Sequence, residues 1–92
     1  MANEDRSKRP EWWDWELSFT PHIEERMLER GFSEVELRAM FNEAASLASS
    51  RRPGRWTIRT RHSGQPWIVV VEPDEEAGRL IVVTAYRREW RL

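Results

Sequence analysis

Two groups of side chains have the types and spacing needed to work on a phosphate backbone. The first is His22, Arg26 and Arg30. Their i, i+4, i+8 spacing places them on roughly one face of a helix. Near a helix N-terminus the neutral imidazole is the favoured form, and it can accept a proton. The second group is Arg55, Arg59 and Arg61, which share one face of a strand. His62 follows them at a turn, and Tyr86, Arg87 and Arg88 end the last strand. The guanidinium fork matches phosphate oxygens and can stabilise the extra charge of an in-line displacement. Histidine or tyrosine can pass a proton between a 2′-hydroxyl and the leaving oxygen. Together these residues suit metal-independent phosphoryl transfer on RNA. Arg26, Arg55, Arg59, Arg61 and Arg87 are the candidates for holding phosphate. His62, Tyr86 and His22 are the candidates for moving the proton. The bland alternative is a solvated surface whose arginine stems cover apolar neighbours, since one polar face per strand is ordinary.

Other chemistries have no signature. There is no phosphate-binding glycine loop, no H-E-x-x-H and no nucleophile elbow. With no cysteine and two histidines, neither a disulfide nor a structural zinc site is expected, and no cofactor is implied. The net charge of −1 conceals an asymmetry. Residues 1–50 hold 6 Lys/Arg against 11 Asp/Glu, and residues 51–92 hold 9 against 5. The second half therefore supplies any basic face. No signal peptide or membrane-length apolar run is present, so a cytoplasmic protein with no membrane partner is expected.

The elements that must position these residues follow from periodicity. At 92 residues, one domain is expected, with residues 1–11 a flexible charged leader and residues 12–92 the folded part. Trp13, Trp15, Leu17 and Phe19 alternate with polar residues, which predicts a strand with one apolar face. Trp12 falls out of phase and is the tryptophan free to meet a partner. Thr20 as N-cap, Pro21 at the first position and Gly31 past the end bracket a helix with an Ile23/Met27/Leu28 stripe. Ser33 and Glu36 form a capping box, and Phe32 and Leu37 a staple, for a second helix ending near Ala45. Its buried stripe is expected to hold Val35, Ala39 and Met40, with Phe41 at the border. Three strands follow, "RWTIRTRH", "WIVVVEP" and "RLIVVTAYR", joined by polar turns. The expected fold is α+β in the order β-α-α-β-β-β, with both helices on one face of a twisted antiparallel sheet.

At this level the chain resembles a known family. His22, Arg26, Met27, Arg30, Gly31, Phe32 and Ser33 match its first-helix pattern, and Val82, Val83, Thr84, Ala85 and Tyr86 match its last strand. This is the domain-of-unknown-function 4258 family, and the resemblance covers about residues 17–88. The family is similar to the RelE/ParE and BrnT toxins. The resemblance implies a compact sheet with two N-terminal helices and a role in a bacterial toxin–antitoxin pair, as an RNA-binding or RNA-cleaving component. Such toxins are usually strongly basic, and this chain is not. A non-catalytic interaction module of the same fold, pairing with itself or with an antitoxin-like chain, is the alternative.

Overall fold

In a computed structural model, residues 9–88 are described. A short 3-10 turn, Glu11–Asp14, leads into β1 (Glu16–Phe19), α1 (Pro21–Arg30), α2 (Glu34–Asn42), β2 (Ser46–Ser49), β3 (Trp56–His62), β4 (Gln65–Asp74) and β5 (Arg79–Arg87). Most of the leader expected over residues 1–11 lies outside the described residues. The part within them is in contact with the domain: the Arg9 guanidinium sits 4.9 Å from the centre of the Trp13 ring.

The sheet has five strands in the order β1-β5-β4-β3-β2. Strands β3, β4 and β5 form the expected antiparallel meander, and two features correct the wholly antiparallel sheet read from the sequence. β1 joins parallel to β5, pairing Glu16 with Arg79 through Phe19 with Val82, so the sheet is mixed. A further strand, β2, pairs antiparallel with β3 and forms the far edge. Its residues, "SLAS", carry too little apolar alternation to mark a strand. The helix before it stops at Asn42, short of Ala45.

Both helices lie on one face, α1 against β5 and β1, and α2 against β3. The core between the layers is built from Leu17, Ile23, Leu37, Met40, Phe41, Ile58, Val69, Val71, Leu80 and Val82, all nearly or fully buried. β4 is the central strand and has buried residues on both faces. The helix ends follow the local chemistry. Thr20 Oγ1 accepts from the Ile23 amide at 3.2 Å, and Ser33 and Glu36 complete their capping box. Gly31 closes α1 at φ 71°, a left-handed conformation that costs glycine little. In the β3–β4 turn Ser63 (φ 53°) and Gly64 (φ 76°) both have positive φ, as a two-residue hairpin with the right-handed strand twist requires.

The tryptophan-rich stretch departs from the expected strand. Pro10 holds φ at −64°, and its carbonyl accepts from the Trp13 amide at 3.0 Å. The Trp12 carbonyl accepts from Trp15 at 3.1 Å. These i→i+3 bonds wind residues 11–14 into a turn, so alternation starts only at Glu16. Trp12, expected to stand outside, is buried at 8% exposure. Its ring centre lies 5.9 Å from Trp13 and 5.8 Å from Trp56. Trp13 is buried against Phe41 at 5.2 Å, and Trp15 is only half-buried. The helix stripes are shifted as well. Leu28 and Val35, expected inside, are 85% and 77% exposed, while Phe41, placed at the border, is buried.

Candidate functional site

The site grows from the way α1 docks beside β5. β1 pairs with β5 only as far as Val82, so from Val83 to Arg87 that edge of β5 has no strand beside it. α1 is tied to this stretch at its start. Thr20 Oγ1 donates to the Val83 carbonyl at 3.4 Å, and His22 Nε2 lies 3.4 Å from Thr84 Oγ1. Two helical turns later Arg30 reaches the end of β5. There Arg30, Tyr86, Arg87 and Trp67 enclose an open cleft of about 520 Å³.

Each wall has a local cause. Arg30 stands in the last turn of α1, where a cation complements the carbonyl end of the helix. Arg87 pairs across the ladder with Trp67. Trp67 is 7% exposed and is held edge-on by Phe32 at 5.4 Å and by His62 at 5.6 Å, so it forms a fixed floor. Tyr86 stands at the rim, 43% exposed. Two guanidiniums, one phenol and an indole floor are thus offered to an anion that carries a flat or apolar group.

The structure divides the residues singled out in the sequence. Arg87, Tyr86 and the His22–Arg26–Arg30 stripe belong to the α1–β5 edge. Arg26 is 3.5 Å from Glu29, an exposed contact. Arg59 and Arg61 lie on the opposite, helix-free face, paired with Ile68 and Pro66 of β4. They line a shallow hollow with Arg88 that leaves Ile68 only 6% exposed. Covering an apolar residue with arginine stems is the bland role anticipated for this row. Arg55 is held at 2.9 Å by Glu72. Tyr86 links the two faces: it pairs with Ile68, which pairs with Arg59, and it also lines the cleft.

His62 is the main correction. Grouped with the arginine face in the sequence, it has the parity of Ile58 and Thr60 and so turns to the helix side. There it meets the Trp67 ring, and its Nε2 is 3.9 Å from Glu36 Oε2. Arg59, Arg61 and His62 therefore do not converge. Two further residues complete the cleft. Arg30, absent from the candidates for holding phosphate, shares the helical face of His22 through its i+8 spacing. Trp67 opens the apolar run of β4, and only the β4–β5 register shows that it lies opposite Arg87.

Among the described residues no group of three or more His, Asp or Glu side chains is placed to hold a metal ion. None of the described helices is long and apolar enough to cross a membrane. No curated protein and no solved structure matches the chain. The model of the family described as Domain of unknown function (DUF4258) matches residues 19–87, a span that includes α1, Trp67 and the end of β5, and the chain belongs to that family.

Proposed function

We propose that the protein is a RelE/BrnT-like, toxin-related component that binds single-stranded RNA along the α1–β5 edge. The observation that carries this reading is the cleft lined by Arg30, Arg87, Trp67 and Tyr86. In it the two guanidiniums hold one phosphate and Tyr86 offers its ring to a base. His22 and Arg26 continue the track along α1 towards the preceding nucleotide. If the bound RNA is cut, Tyr86 is the side chain of the cleft lining able to pass a proton. The 2′-oxygen would bond to phosphorus as the P–O5′ bond breaks, Tyr86 would relay the 2′-hydroxyl proton to the departing 5′-oxygen, and Arg30 and Arg87 would stabilise the phosphorane-like charge.

The test compares wild type with Arg30→Ala/Arg87→Ala and with Arg59→Ala/Arg61→Ala, using a labelled single-stranded RNA. Loss of binding by at least tenfold in the first double variant only is the expected result. Equal loss in both, or binding in neither wild type nor variant, sinks the proposal. Cleavage that disappears in Tyr86→Phe while binding persists would make Tyr86 the proton-transfer group.

A second reading, a non-catalytic interaction module, is favoured by one specific observation. His62 stands on the helix side of the sheet, away from Arg59 and Arg61. The histidine and arginines needed for the fuller catalytic set are thus on opposite faces.

A further inference from the structure

We infer that the cleft takes a guanosine and reads the O6/N7 edge of its base. The inference rests on RNA binding at the cleft and adds which base is held there. It follows from what the lining side chains can donate and accept. The guanidiniums of Arg30 and Arg87 are donors only, and so is the indole of Trp67. The Tyr86 hydroxyl is the one lining group that can also accept. Among the described residues no carboxylate or amide side chain lines the cleft. Two helix acids that could add an acceptor are engaged elsewhere. Glu29, next to Arg30 in the chain, stands 3.5 Å from Arg26. Glu36 accepts from the Ser33 amide at 2.8 Å and lies 3.9 Å from His62.

The donors of the cleft are unspent. Neither Arg30 nor Arg87 has a side-chain partner among the described residues. Trp67 faces the helix side, since it pairs with Thr60, whose hydroxyl donates to the Met40 carbonyl of α2. It is 7% exposed, yet its indole N–H makes no hydrogen bond among the described residues. No sealed side-chain nitrogen or oxygen lacks a partner among them, so this N–H is open to solvent. On the helix side, Trp67 opens onto the cleft. Arg87 stands opposite Trp67 on the ladder, so the two side chains are neighbours on one face. A phosphate occupies one fork of a guanidinium, which carries five N–H groups in all. Donors of Arg87 therefore remain beside the indole N–H.

Two neighbouring donors match two neighbouring acceptors. Guanine presents N7 and O6 side by side with no donor on that edge. Adenine sets its N6 amino group beside N7, cytosine presents an N4 amino group, and uracil has only O4 there. Each of these would turn a donor towards a donor or leave one donor of the cleft unpaired, which costs affinity. Stacking on Tyr86 holds any base, so the donor pair and not the ring sets the choice.

Labelled oligouridylates with one central guest nucleotide test this on the full chain. Guanosine and inosine share N7 and O6 and should bind alike. Adenosine, and 7-deazaguanosine with its N7 acceptor removed, should bind about tenfold more weakly. Trp67→Phe keeps an aromatic ring without the N–H and should bring the guanosine guest down towards the adenosine level. Circular dichroism establishes that this variant is folded, and the guest series in the unaltered chain decides the matter if it is not. Arg59→Ala/Arg61→Ala, on the other face, should keep the guanosine preference. Equal affinity for all four guests, lost in Arg30→Ala/Arg87→Ala, leaves RNA in the cleft and overturns the guanine reading alone. Inosine as weak as adenosine assigns recognition to the N2 amino group and overturns it as well. Binding of no guest at all rejects the RNA reading and this inference with it.

Discussion

Thr60 shows how strictly single residues are constrained in a thin core. It is 4% exposed on β3, and its hydroxyl donates to the Met40 carbonyl near the end of α2. This bond ties the second helix to the sheet and gives a buried hydroxyl its partner. Thr60→Val keeps the shape and removes this bond, leaving the Met40 carbonyl with the Glu43 amide, 3.1 Å away, as its donor. The expected cost is about 0.5–1.5 kcal/mol, read as a lower midpoint in urea with an unchanged slope. Arg38 and Arg79 act in the same way between elements. Arg38 donates to the main-chain carbonyls of Trp13 (2.9 Å) and Trp15. Arg79 donates to Ser18 Oγ at 2.6 Å and to the Leu17 carbonyl at 3.1 Å. The charge pattern of the sequence marked the C-terminal half as basic but could not separate these clasping arginines from Arg30 and Arg87. A guanidinium's role is set by which carbonyls come within its reach, and that depends on tertiary register. Parity was legible: Arg59 and Arg61 do lie opposite Ile58. The same parity rule applied to the last residue of "RWTIRTRH" puts His62 on the face of Ile58 and Thr60, away from the arginines with which its place beside the turn groups it.

Among the elements, those with a local cause were read closely. The capping box at Ser33, the proline start of α1 and the glycine cap at Gly31 each satisfy groups within a few residues, so sequence alone holds their logic. Elements decided by distant partners were not. β2 exists because β3 offers it a ladder, and β1 runs parallel because its partner is β5, the strand furthest from it along the chain. The tryptophan stretch lies between these cases. Its alternation was genuine from Glu16 onward, but Pro10 and two i→i+3 bonds override it before that point. The consequence is a ranking that the strand reading would not give. Trp13, 5% exposed and stacked near Phe41, should cost about 3–5 kcal/mol when changed to alanine. Trp15, only half-buried, should cost clearly less. Paired thermal melts of Trp13→Ala and Trp15→Ala check this, and equal losses would favour a strand through all three tryptophans.

For the molecule as a whole, a near-neutral chain must concentrate its cations if it is to hold RNA. Of the arginines described, Arg38, Arg55 and Arg79 are committed to internal contacts, and Arg59 and Arg61 lie on the face away from the helices. Arg9 lies over the Trp13 ring, Arg88 lines the hollow with Arg59 and Arg61, and Arg51 and Arg52 stand exposed after β2. Arg26, Arg30 and Arg87 lie along the α1–β5 edge, with acidic Glu25 and Glu29 on the same helix. Binding there neutralises few phosphates, so it should depend on salt only weakly. Two phosphates on a single strand, one held by Arg30 and Arg87 and one by Arg26, imply a slope of log affinity against log salt of about −1.4. A nonspecific binder that used the whole basic half would show a steeper line. Titrating a short single-stranded RNA between about 50 and 300 mM salt separates these cases. A slope of about −1.4 that becomes shallower by about 0.7 in Arg30→Ala/Arg87→Ala places the backbone in the cleft. A steep slope that responds instead to Arg59→Ala and Arg61→Ala would assign binding to the open face of the sheet and reject the edge. The distinction rests on one topological fact. β1 ends at Phe19, opposite Val82, so the last turn of α1, and not another strand, borders the end of β5. Lengthening β1 by two residues of pairing would close that border, and it should abolish the shallow-slope binding while leaving the core intact.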